Sequence, residues 1–119
     1  MFRLATATHD TLDYLPGFRV DVEPEDDLVR VVPVGELDLA NSGRLLEQLE
    51  ELQDAGFQRL TLDLRQLEFI DCSGLHVILD VDARARSEGE DFGLIPGSPT
   101  VQRLFELSGT DRHLRFRCQ

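Results

Sequence analysis

Asp71, Cys72 and Ser73 stand side by side ahead of Gly74, in the run Phe69-Ile70-Asp71-Cys72-Ser73-Gly74-Leu75. An acid, a thiol and a hydroxyl in a row can cap a helix, hold an anion or act as a nucleophile. A strand-like stretch ends at Asp71, and an apolar helical stretch begins after it. Such a junction presents small polar side chains and free backbone N–H groups at a helix start, a place suited to anions. The plain alternative is a tight turn in which Asp71 caps the helix, Ser73 sits at N-cap or N1, and Gly74 permits close packing. Cys72 and His76 are four residues apart, so a helix would place both on one face, as a thiol–imidazole dyad requires. Apart from Asp71, however, nothing marks a third group to orient His76, and no substrate pocket is evident. His9, His113 and the second cysteine, Cys118, are scattered. No metal-ligand spacing exists, so neither a metal nor a cofactor is expected.

The elements that must position this junction are written in the periodicity. Residues 1–17 hold no period and end at Pro16-Gly17; they are expected to be an N-terminal extension, either a docked arm or an extra strand. Residues 18–23 alternate cleanly and predict a strand with one buried face. A polar turn at Pro24–Asp27 and a second strand over Leu28–Leu37 make a hairpin. Pro33 lacks an N–H and should lie at a bulge or on an unpaired edge. Leu45, Leu46, Leu49 and Leu52 predict a helix over Asn41–Ala55, with Asp38, Asn41 and Ser42 as possible caps and Gly56 as its stop. Leu60, Leu62 and Leu64 predict a third strand. A helix over Ser73–Glu88 should face the core with Leu75, Ile78, Leu79 and Ala83 and end at Gly89. Phe92–Ile95 is a short strand. Ser98 as N-cap with Pro99 at N1 opens a third helix that ends at Gly109. A last strand is expected over His113–Arg117. Strands alternating with helices after a hairpin predict an α/β domain over residues 18–119, a small mixed β-sheet covered by helices.

The chain has 119 residues, 41% of them hydrophobic, which suits a single core. A formal net charge of -11 disfavours nucleic acid and anionic membranes as partners and permits a basic protein surface. No segment reaches the ~18 apolar residues of a membrane span. Met1–Leu15 lacks a basic start followed by a long apolar run, so no secretory signal is read and a cytoplasmic protein is expected.

Three segments resemble the STAS domain, the module of anti-sigma factor antagonists and of sulfate-transporter tails. Val34-Gly35-Glu36-Leu37-Asp38 is similar to that family's Gly-Glu-Leu-Asp turn. Leu67–Leu75 is similar to its switch loop, and Ser98–Gly109 to its third helix. The resemblance covers residues 18–117 in order, and with no membrane span the stand-alone antagonist is the nearer likeness. It implies a non-enzymatic protein that binds an anti-sigma factor, itself a serine kinase, and so frees a sigma factor. It further implies a partner surface built from Gly35, Glu36 and Asp38 together with Asp71, Cys72, Ser73 and Gly74. ATP and Mg²⁺ would belong to the kinase.

Family members commonly read Asp-Ser-Ser-Gly or Asp-Ser-Thr-Gly, and the first hydroxyl is the phosphoacceptor. Here Cys72 holds that position, and Ser73 is the less favoured substitute. Two other readings follow from this departure: a non-phosphorylatable STAS scaffold in a signalling or transport complex, and a thiol enzyme or redox sensor at Cys72.

Overall fold

The computed structural model describes residues 17–117. The expected extension falls outside that range apart from Gly17, as does Cys118. Strand β1 (Phe18–Glu25) and strand β2 (Leu28–Leu37) form the antiparallel hairpin that the alternation predicts. Its turn is short, Asp26–Asp27, with Asp26 at φ 53°. After helix α1 (Ser42–Asp54) come strand β3 (Arg59–Asp63) and strand β4 (Leu67–Ile70). Helix α2 (Cys72–Ser87), strand β5 (Asp91–Ile95) and helix α3 (Pro99–Ser108) complete the order.

Strand β2 organises the mixed sheet. One edge carries β1. The other edge is shared: Val29–Val31 pairs parallel with β3, and Gly35–Leu37 pairs parallel with β4. Strand β5 lies outside β3, also parallel. Pro33 faces Val20 of β1 and falls between the β3-paired and β4-paired stretches. It therefore sits inside a central strand, at the place where no second partner needs its missing N–H.

Phe18, Val20, Val29, Val31, Leu60, Leu62, Phe92 and Leu94 turn one face of the sheet to the core, where Leu45, Leu49 and Leu52 of α1 pack with them. On α2 the buried stripe is Leu75, Val77, Ile78, Val81 and Ala85, with Leu79 partly buried. Ala83, expected in the core, is exposed. The helix lies with its stripe centred on Val77–Val81 and Ala85, which turns Ala83 to water. Ser98 Oγ caps α3 by accepting from Val101 N at 3.3 Å, and Gly109 closes it at φ 77°. The strand expected over His113–Arg117 is not formed. A 3₁₀ turn at Thr110–Arg112 redirects the chain, and only Phe116 makes a bridge, parallel to Leu94. The Phe116 ring meets Phe105 edge-on at 5.1 Å.

The alternate residues of the sheet carry ion pairs on its other face. Asp63 accepts from Arg65 at 2.8 Å and from Arg30 at 3.2 Å, and Arg30 also meets Glu25 at 3.0 Å. Burial acts to raise the Asp63 pKa, but these hydrogen bonds outweigh it and hold the carboxyl below its ordinary value. A depressed folded-state pKa stabilises the fold above the ordinary carboxylate range. That contribution is lost as pH falls through the folded value. Asp63→Asn should therefore lower stability at pH 7 by ~1–3 kcal/mol. It should also flatten the acid limb of a plot of urea midpoint against pH. An acid limb as steep as wild type would remove Asp63 as its source.

Candidate functional site

The end of β2 and the end of β4 lie side by side, with Leu37 opposite Ile70. Each strand runs straight into a polar turn: Asp38–Asn41 after β2, and Asp71 after β4. Asp71 N donates to Leu37 O at 3.1 Å, which continues the ladder across the two exits. The segments that the resemblance assigns to one surface are thus brought together by strand pairing.

Asp71 is the N-cap of α2. Its Oδ1 accepts from Ser73 N at 2.8 Å and from Gly74 N at 3.2 Å. Its Oδ2 faces the other way and accepts from Leu39 N at 3.2 Å. One carboxylate therefore caps a helix and ties down the neighbouring turn. That turn has its own brace: buried Asn41 donates from Nδ2 to Glu36 O at 2.7 Å and accepts at Oδ1 from Asp38 N at 2.9 Å. Asn41 holds the N-cap place of α1 without capping it through its side chain. Asp38 also leaves α1 uncapped by its side chain: its Oδ1 accepts from Ala40 N at 3.0 Å within the turn.

Cys72 is the first residue of α2 and is exposed with a free thiol. Ser73 is half-buried. No hydrogen bond joins Cys72 to His76 among the described residues, although both are exposed on α2. Gly74 is buried because a Cβ there would lie 2.8 Å from Leu37 Cγ and 2.9 Å from Ile70 Cγ1. The bare glycine lets the start of α2 sit directly on the two strand ends.

Gly35 lies lower. It is buried, at φ 109°, and a Cβ would fall 1.8 Å from Gly17 O. Its part is to let β1 and β2 approach; of the three residues that the resemblance assigns to the partner surface here, Glu36 is exposed, Asp38 is half-buried and Gly35 is covered. Gly35→Ala should cost about 3 kcal/mol or more, from a positive φ and a backbone clash together. Gly43→Ala, in α1 with nothing within 4 Å, should stabilise by up to ~1 kcal/mol. Urea denaturation of the two variants measures both, and a mild effect at Gly35 would refute the close approach.

Strand β4 carries a bulge. Gly35 pairs with Leu67 but Glu36 pairs with Phe69, so Glu68 is extra. Two consecutive residues, Glu68 and Phe69, consequently face solvent. Phe69 is 43% exposed and Leu39, in the adjoining turn, is 79% exposed. Apolar character alone would have sent both to the core. The only sequence sign for Leu39 is a large apolar residue inside an otherwise polar turn. The acids Glu36, Asp38, Glu68 and Asp71 lie in the same strand ends and turns as these two residues. None of them forms an ion pair among the described residues, whereas arginines pair off elsewhere: Arg59 with Asp27, Arg84 with Asp54 and Arg86 with Asp82. His113 Nε2 also meets buried Asp82, at 3.2 Å. The described residues hold no group of three His, Cys, Asp or Glu side chains able to bind a metal ion, and no helix among them is long and apolar enough to cross a membrane.

A mixed sheet whose parallel strand ends feed an Asp-capped helix start is the arrangement of a STAS domain. Residues 19–118 match the STAS domain family model, and the chain belongs to that family. The anti-sigma F factor antagonist of Paenibacillus polymyxa is 30% identical over 94 residues, which span 78% of this chain and 80% of that one. BtrV of Bordetella bronchiseptica is 35% identical over 75 residues, 63% of this chain and just under two thirds, 65%, of BtrV. Among solved structures, an anti-sigma factor antagonist from Mycobacterium paratuberculosis superposes with a TM-score of 0.78 at 23% identity, covering 86% of this chain and 87% of that one. SpoIIAA in its unphosphorylated form, from Bacillus, gives 0.71 at 19% identity with the same coverage. Those two likenesses speak to the fold.

Proposed function

We propose that this protein is an anti-sigma factor antagonist. It binds an anti-sigma factor that is also a serine kinase and thereby frees a sigma factor, with no catalysis of its own. The relatives named as antagonists support the role. The observation that carries it is an exposed residue 72 at the head of α2, on a surface joined from two strand exits. The kinase brings ATP and Mg²⁺, and this chain supplies the docking face.

Residue 72 is a thiol, which a serine kinase does not modify. The protein then acts as a constitutive antagonist, controlled by its amount. Calorimetric titration with the anti-sigma factor kinases of the same organism tests the role. Saturable binding by one of them, with release of its sigma factor, is expected. Failure of all of them to bind would overturn it in favour of a STAS scaffold without kinase partner. Fast alkylation of Cys72 at neutral pH together with turnover of a thiol substrate would favour the enzyme reading.

A further inference from the structure

We infer that Leu39 is an apolar anchor of the docking face and that Asp71 is the positioning residue that presents it. The inference rests on the proposed binding role and specifies its chemistry: the partner offers an apolar pocket rimmed by basic side chains.

A single exposed leucine on a protein surface needs no explanation. This one differs in how its backbone is held. Its N–H is bonded to the carboxylate of Asp71, a residue 32 positions away on another element. The turn that carries it is braced from below by Asn41, which is 6% exposed and bonded to both Glu36 and Asp38. A turn pinned from two sides presents a side chain already in place. Preorganisation of this kind raises affinity by reducing the ordering cost of binding. Phe69, set outward by the bulge, supplies a second apolar contact beside Glu36.

Charge decides the partner's character. Glu36, Glu68 and Asp38 lie in the same strand ends and turn, and among the described residues no arginine pairs with them, while all twelve basic residues of the chain are arginines. Unpaired acids around an apolar contact complement a basic rim, and the association should weaken with added salt.

Asp71 has two oxygens with separate duties, so they can be separated chemically. In Asp71→Asn the amide oxygen keeps the cap on Ser73 and Gly74. The NH₂ then faces the Leu39 N–H, donor against donor, and the tie is lost. Amide exchange followed by NMR should show Leu39 exchanging at least ~10-fold faster, a loss of about 1.4 kcal/mol in protection. Ser73 and Gly74 should stay protected. Against the anti-sigma factor kinase that binds wild type, Asp71→Asn and Leu39→Ala should each weaken binding about tenfold. If Asp71 acts through Leu39, the double variant should be no weaker than Leu39→Ala alone.

Unchanged Leu39 exchange in Asp71→Asn would overturn the positioning role while leaving the proposed function standing. Strictly additive losses in the double variant would make Asp71 a partner contact in its own right, and no loss with Leu39→Ala would remove the anchor. Absence of any binding by wild type would instead overturn the proposed function, and the exchange measurement would still decide whether Asp71 holds Leu39.

Discussion

Incubated with the proposed kinase partner and Mg·ATP, the wild-type protein should remain unphosphorylated, and Cys72→Ser should take up one phosphate at residue 72. A kinase must hold one nucleophilic oxygen in line with the γ-phosphate, and a misplacement of ~1 Å can cost ~100-fold in rate. Residue 72 is exposed at the first position of α2, and residue 73 is half-buried. Successive helix residues are rotated by about 100°. The Ser73 hydroxyl therefore leaves the helix in another direction, and the Ser73 backbone is pinned by Asp71 at 2.8 Å. The expected contrast between wild type and Cys72→Ser is at least ~100-fold in rate. Intact-mass measurement over time reads it directly. Rapid, stoichiometric phosphate on Ser73 of the wild type would return the protein to ordinary control by phosphorylation.

A fixed negative charge at the same position should dissociate the complex. Cys72→Asp should weaken binding to the anti-sigma factor at least ~10-fold, equal to about 1.4 kcal/mol, and Cys72→Ser should leave it nearly intact. The new carboxylate joins Asp71 at the head of α2, inside the proposed docking face. The partner's basic rim is matched to Glu36, Asp38 and Glu68, so the added charge must be desolvated without a basic side chain of its own and repels its neighbour. A phosphate would add roughly -1.5 to -2 charge and act more strongly in the same sense. The fold should not suffer. An acid in the first turn of α2 interacts favourably with the helix dipole by ~0.3–1 kcal/mol, which offsets its repulsion from Asp71. Calorimetric affinity and a melting curve on the same samples separate loss of binding from loss of folding. Equal affinities for wild type and Cys72→Asp would place the docking face elsewhere.

Sequence by itself determined the parts whose signals are local. The alternation of Phe18, Val20 and Val22 wrote β1, and Ser98-Pro99 with Gly109 bounded α3 to the residue. Asp71-Cys72-Ser73-Gly74 marked the start of α2, because a cap, a small first turn and a glycine are short-range requirements of any helix start. The resemblance then brought the two turn segments onto one surface. Tertiary structure decided everything that depends on which groups meet across the chain. Ala83 faces water and Val77 and Val81 face the core, because the rotation of α2 is set by packing against the sheet. Residues 113–117 make only one bridge, because the 3₁₀ turn before them limits what can align with β5. Phe69 looks outward through a register shift between β2 and β4 that no periodicity within four residues can encode. The tie from Leu39 to Asp71 spans 32 positions, and Gly35 is demanded by a backbone oxygen 18 residues earlier. Local propensity carries no information about such encounters; they arise only when the sheet closes and two strand ends lie side by side.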